Sequence, residues 1–203
     1  MAGSKVKHRV VGLLGGTGAG KSTAAAWLAE SGCSVIDADR ISREVMYPGT
    51  NGYAAVVDAF GREIVSSDGT IDRGRLAAIV FSDEVQLERL ERIVHPLMRE
   101  AIQRRIDEAE SRVVVLDCAV LLRSTFRALV DEIWLMTASD DVRRARIMRR
   151  DGLTEEQATL RMQAQQSESE MAAAAQMILH NDAGTAELYS QLERALSAVS
   201  GGN

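Results

Sequence analysis

Few short stretches restrict a fold as severely as Gly15-Gly16-Thr17-Gly18-Ala19-Gly20-Lys21-Ser22 does. It satisfies the pattern G-x-x-x-x-G-K-[ST] and lies between an apolar, β-branched run, Arg9–Leu14, and a segment of helical pattern after Lys21. A loop of this type works only where a strand gives way to a helix. Its glycines let backbone N–H groups curl around phosphate oxygens, and the following helix N-terminus adds partial positive charge. The candidate nucleotide-binding residues are therefore Gly16, Thr17, Gly18, Ala19, Gly20, Lys21, Ser22 and Thr23. Lys21 is expected to reach the β- and γ-phosphates of ATP, and the Ser22 hydroxyl to ligate Mg2+. Composition sharpens the point. Only three of the 24 basic residues are lysines; Lys5 and Lys7 stand in the leading tail, and Lys21 is the only one further on. A chain that otherwise uses arginine keeps a compact ammonium where a guanidinium fork would not fit.

The remaining apolar runs extend the same architecture. Residues 33–36, 113–116 and 133–136 are short and nearly continuous in Val, Ile, Leu and Met, and helical patterns alternate with them. Strands apolar on both faces imply a parallel sheet covered by helices on each side, an α/β fold whose ligands sit beyond the carboxyl ends of the strands. Residues 47–110 interrupt the alternation with helical sequence and little strand character, which reads as an inserted helical subdomain. Residues 143–174 form a second helical stretch, broken at Asp151-Gly152, with Thr154 and Gln157 marking a new helix start. That stretch is a candidate flap, and residues 172–175 within it read as helix. Residues 200–203 are expected to fray.

At 203 residues with 46% hydrophobic and 26% charged, the chain has the composition of a globular domain able to bury its own core. A net charge of -5 without a basic block argues against nucleic acid as a partner. No apolar run is long enough to span a bilayer, so no membrane role is expected. The opening does not read as a signal peptide, which points to the cytoplasm. Cys33 and Cys118 stand far apart without metal-ligand spacing and read as small core residues.

Three further groups carry candidate chemistry. Asp37 and Asp39 follow the second apolar run. On extended backbone, positions i and i+2 point to one side, so both carboxylates are expected to face the phosphates, one as proton acceptor and one in metal binding. The competing reading makes Asp39 the cap of a helix starting near Arg40. Asp117 ends VVVLD either as a metal-linked carboxylate or as a turn former. Arg143, Arg144, Arg146, Arg149 and Arg150 crowd eight residues, and helical spacing puts Arg143, Arg146 and Arg150 on one face. One or two of them are expected at the transferring phosphoryl group, the others in solvent. His95, before Pro96, either lines an acceptor pocket or serves capping and packing. His180 and Trp134 read as structural.

Taken together the residues resemble the dephospho-coenzyme A kinase family over nearly the whole chain. The likeness rests on GGTGAGKST, VIDADRISREVMYPGTNG, FGREI with DGTIDRGRLAAIVF, LERIVHPLMR, RRDGLTEEQA and N-x-x-G at Asn181 to Gly184. It implies phosphoryl transfer from Mg·ATP to the ribose 3'-hydroxyl of dephospho-coenzyme A. It also implies a P-loop kinase core over residues 9–47, 111–142 and 177–199, a helical acceptor-binding insertion over 48–110 and a lid over 143–176. By the same resemblance Lys21 and Ser22 take the phosphate and metal positions, Asp39 the base, Arg146 or Arg150 the lid arginine, and His95 the acceptor side. The chain departs from the family pattern at several points. The segment usually reading D-x-P-L-L-F-E is Asp117-Cys118-Ala119-Val120-Leu121-Leu122-Arg123 here. Leu14 stands for a frequent Thr, and Met171 and Gln176 stand for a Lys and an Asp. Arg123 reverses a charge near the expected acceptor mouth, where it would favour a phosphorylated acceptor. Two other readings stay open: a P-loop kinase for another alcohol or nucleoside, and an ATP-binding protein without catalysis.

Overall fold

The structure is a computed structural model that describes residues 8–165 and 167–201. The leading tail with Lys5 and Lys7, and the last two of the four residues expected to fray, lie outside the described residues. Two compact units are present among the described residues, one built from residues 8–36 and those from 108 onward and the other from residues 37–107.

The first unit is organised by a five-stranded sheet: β1 (Arg9–Leu14), β2 (Ser34–Asp37), β3 (Val113–Asp117), β4 (Glu132–Thr137) and β5 (Met177–His180), in the order β2-β3-β1-β4-β5. β1 sits at the centre, parallel to β3 and to β4, and β4 is parallel to β5. Burial follows that placement. All of β1 after Arg9 is buried, as are the first four residues of β3, because helices cover both faces. On one face α1 (Lys21–Glu30) and α9 (Thr185–Gly201) close over Val11, Leu13, Val113, Val115, Trp134 and Met136 through Ala24, Leu28, Leu188 and Leu192. Trp27 and Tyr189 stack across the helix pair at 5.9 Å between centroids. Cys33 and Cys118 are buried and form no disulfide, as the sequence leads one to expect.

The fifth strand escapes sequence reading because MILH is short and only Leu179 of it is buried, which is the pattern of an edge strand. The flap sequence behaves as its punctuation predicts. α6 (Asp140–Asp151) ends on Gly152 at φ 66, and α7 (Glu155–Gln163) starts with a capping box between Thr154 and Gln157. α8 (Glu168–Ala174) follows. The expected fraying is not seen at Ser200, where α9 continues to Gly201.

The second unit is helical. α2 (Ala38–Val45), α3 (Asn51–Phe60) and α4 (Arg73–Val80) each pack on α5 (Glu84–Asp107). α5 is 24 residues long and buries Val94, Met98, Ile102 and Ile106, a stripe of one residue per turn. Pro96 lies inside it, so His95 is a mid-helix, half-buried residue and the capping reading of it is wrong. Among the described residues no helix is long and apolar enough to cross a membrane.

Candidate active site

The loop between β1 and α1 has the backbone its sequence demands. Gly20 occupies the N-cap of α1 at φ 102, a conformation L side chains rarely adopt, and a Cβ there would run into the Asn181 amide. Gly18, at φ 82, passes so close to α6 that a Cβ would stand 2.7 Å from the Arg143 carbonyl oxygen. The Ala19 N–H closes the turn on the Gly16 carbonyl at 3.1 Å.

Beneath this loop lies a polar bracket that the sequence only partly reveals. Arg143 is buried; its Nε donates to the Thr17 carbonyl at 3.1 Å and its guanidinium pairs with Glu168 of α8 at 3.1 Å. Arg146 donates to the Gly18 carbonyl at 3.2 Å and to the Asn181 carbonyl at 2.9 Å. Asn181, also buried, donates from Nδ2 to the Ala19 carbonyl at 2.9 Å. Gln165 accepts from the Thr17 N–H at 2.8 Å and donates from its amide nitrogen to the Thr17 hydroxyl. Arg143 therefore supports the loop rather than meeting solvent or substrate. Asn181 had a sequence signal in N-x-x-G, whereas Gln165 has none beyond its place in a polar run.

Facing the bracket is a cavity of about 810 Å3 lined by the loop from Leu14 to Gly18, by Gly20, Lys21, Ser22 and Thr23, and by Arg146, Arg149 and Arg150 from α6. Its size suits a nucleotide. The Lys21 ammonium lies 3.3 Å from the Asp117 carboxylate at the carboxyl end of β3, both side chains 23% exposed. Asp117 faces the loop through this pair, and the chain turns after it into a 3-10 helix at Leu121–Arg123. The Ser22 hydroxyl makes no hydrogen bond among the described residues and is open to a ligand. Arg150 lines the cavity while forming a pair of hydrogen bonds to Asp151, at 2.7 and 2.8 Å.

Asp37 and Asp39 need one correction. β2 ends at Asp37 and α2 begins at Ala38, so the two carboxylates do not share an extended backbone and the i, i+2 argument fails. The cap of α2 is Asp37, whose Oδ1 accepts from the Arg40 N–H at 3.0 Å; Asp39 sits in the first turn. The Asp39 carboxylate is exposed and makes no hydrogen bond or ion pair among the described residues. Arg123 is exposed and lies 3.8 Å from Glu170.

Two departures from the family pattern acquire a physical account. The Gln176 side-chain oxygen accepts from the Ile133 N–H at 2.8 Å while its own N–H donates to the Ile133 carbonyl at 2.9 Å. An amide oxygen serves there as well as a carboxylate. Met171 is buried on the wall of the cavity and places a thioether where the pattern has a cation.

A glycine loop and lysine at the carboxyl edge of a parallel sheet, roofed by an arginine-bearing helix, define a P-loop phosphotransferase. A solved structure of shikimate kinase from Bacteroides thetaiotaomicron has the same fold, with a TM-score of 0.55 at 16% identity over 95% of this chain and 98% of that one. The family model described as dephospho-CoA kinase matches residues 9–187, and the chain belongs to that family. It is similar to the dephospho-CoA kinase of Streptomyces avermitilis, at 42% identity over 88% of this chain and 87% of that protein. It is similar also to that of Shouchella clausii, at 36% identity over 92% and 96%. A solved structure from Thermus thermophilus superposes with a TM-score of 0.84 at 31% identity, over 95% of this chain and 97% of that one.

Proposed function

We propose that this kinase transfers the γ-phosphoryl group of ATP to the ribose 3'-hydroxyl of dephospho-CoA, yielding CoA and ADP. The observation that carries the reading is the shared cavity. Lys21, Ser22 and the loop N–H groups form one wall and Arg146, Arg149 and Arg150 another, so a polyphosphate there meets donors from both sides. Loop N–H groups and Lys21 hold the β- and γ-phosphates; Arg146 and Arg150 balance the charge that grows on the leaving oxygens. Asp39 takes the proton from the 3'-hydroxyl as that oxygen attacks phosphorus. Its support is a carboxylate with no hydrogen bond or ion pair among the described residues, which leaves its oxygens available to accept a proton.

The donor set suits Mg2+. It offers a hydroxyl at Ser22 without a hydrogen bond among the described residues and a carboxylate at Asp117 at the end of β3. Mg2+ is held in that manner, by one or two side chains plus substrate phosphates. Bound there it would neutralise phosphate charge, and Lys21, now paired with Asp117, would turn to the nucleotide.

We assign acceptor binding to the helical insertion, including His95 of α5, with Arg123 near the acceptor's phosphates, and lid movement to residues 143–176. The cytoplasm is the compartment in which the buried thiols Cys33 and Cys118 stay reduced. Lys21→Ala and Asp39→Asn test the assignment: each is expected to abolish ADP release in a coupled assay while thermal unfolding stays cooperative. Wild-type turnover by either variant would remove that residue from the chemistry.

A further inference from the structure

Thr17 stands half-buried on the wall of the nucleotide cavity, and both polar groups of its backbone are already engaged. Its N–H donates to Gln165 Oε1 at 2.8 Å, and its carbonyl accepts from Arg143 Nε at 3.1 Å. A glycine loop of this kind works by offering backbone N–H groups to phosphate oxygens. Here one of those N–H groups is taken by a side chain of the protein itself, and Gln165 lines the same cavity.

The chemistry of the amide decides what Thr17 offers in exchange. The Gln165 oxygen takes two donors, the Thr17 N–H and, at 3.4 Å, Arg143 Nη2. The amide therefore has one orientation, because an NH2 group in that place would face two N–H donors. Its nitrogen end meets Thr17 Oγ1, and since an amide nitrogen only donates, that oxygen is the acceptor. The hydroxyl proton of Thr17 is left over and is given to no group among the described residues. Glu168 holds Arg143 from behind at 3.1 Å, so the series Glu168, Arg143, Gln165, Thr17 runs with one polarity and ends in an O–H beside the cavity.

We propose that the Thr17 hydroxyl is a further phosphate-binding donor, giving its proton to an oxygen of bound ATP, and that Gln165 is the positioning residue that keeps it a donor. The inference rests on ATP occupying the loop and is independent of the acceptor. A hydroxyl donating to an anionic oxygen makes a charge-assisted hydrogen bond, one of the stronger kinds. Had the amide presented its oxygen to Thr17 Oγ1, the proton would be committed inside the protein. The polarity of Gln165, and not its bulk, is what serves the substrate.

The test is calorimetric titration of the full chain with Mg·ATP, no acceptor being present. Thr17→Val keeps the side-chain shape and removes the hydroxyl. Gln165→Glu keeps the shape and puts an acceptor where Gln165 has a donor, so that the hydroxyl proton turns inward. Each is expected to weaken ATP binding about tenfold, and Thr17→Ser, which keeps the O–H, to rescue the loss. The double variant separates this effect from repulsion of phosphate by the new carboxylate. Acting through the hydroxyl, Gln165→Glu should change the affinity by less than about twofold in the Thr17→Val background. Unaltered affinity in Thr17→Val, or a Thr17→Ser as weak as Thr17→Val, overturns the hydroxyl's role and leaves the kinase reading standing. A Gln165→Glu loss that persists in full in the Thr17→Val background overturns the role of Gln165. Wild-type protein that binds no ATP overturns the kinase reading and this inference with it.

Discussion

Arg143→Ala probes the link between α6 and the phosphate loop. The Arg143 side chain is 9% exposed, so its hydrogen bond to the Thr17 carbonyl is shielded from water. Its acidic partners are not: Glu168 is 46% exposed and Asp140 73% exposed. Removing one member of a buried ion pair costs about 3–5 kcal/mol because a charge is stranded. Here both carboxylates rehydrate, and that penalty does not apply in full. What is lost is chiefly the hydrogen bond from a charged donor to the Thr17 carbonyl, about 1.5–3 kcal/mol, with a longer one to Gln165 at 3.4 Å and the packing of the side-chain stem. For a chain of this length each kcal/mol lowers the melting temperature by about 2–4 °C, so a fall of about 3–12 °C is expected. The Thr17–Gly18 segment loses its anchor at the same time, so the KM for ATP should rise about tenfold, equivalent to about 1.4 kcal/mol, with kcat much less affected. Arg143→Lys, which keeps charge but not the fork, should fall between the two. Calorimetry without nucleotide and steady-state kinetics in ATP read both effects. An unchanged melting temperature and ATP KM would refute the bracket. A collapse of kcat at constant KM would place Arg143 on the transferring phosphate instead.

Other perturbations follow from the same geometry. Asn181→Leu leaves the Ala19 carbonyl without its donor and crowds Gly20, and should cost about 1–3 kcal/mol in thermal stability with weaker ATP binding. Gly18→Ala forces a side chain to φ 82 against the Arg143 carbonyl and should weaken nucleotide binding by calorimetric titration more than it lowers the melting temperature. Thr154→Ala removes the capping box of α7 and should cost about 1 kcal/mol in chemical denaturation. The Ser139 N–H beside Asp182 holds its carboxyl below the usual carboxylate range. A depressed folded-state value adds stability above the ordinary aspartate range near about 3.9, lost as pH falls through the folded value. Asp182→Asn should therefore flatten the acid limb of melting temperature against pH.

How far the sequence speaks depends on whether a feature is local. The glycine loop, the stop at Gly152, the capping box at Thr154 and four of the five strands are written in neighbouring residues, and all are legible. β5 is missed because a strand with one buried residue carries little pattern. The Asp37/Asp39 geometry escapes sequence reading because Asp37 ends the strand by capping the next helix, and a cap is a choice between two backbones that one acid permits equally. Gln165 and the burial of Arg143 depend on contacts across more than 120 residues, between Thr17 and the flap, which no periodicity encodes.

The measurement that reaches the central claim most directly is the mass of the acceptor after incubation with the pure protein and Mg·ATP. Dephospho-CoA should gain one phosphate in wild-type hands and none with Lys21→Ala. An acceptor of unchanged mass with folded wild-type protein, or the same gain from the Lys21 variant, would contradict it.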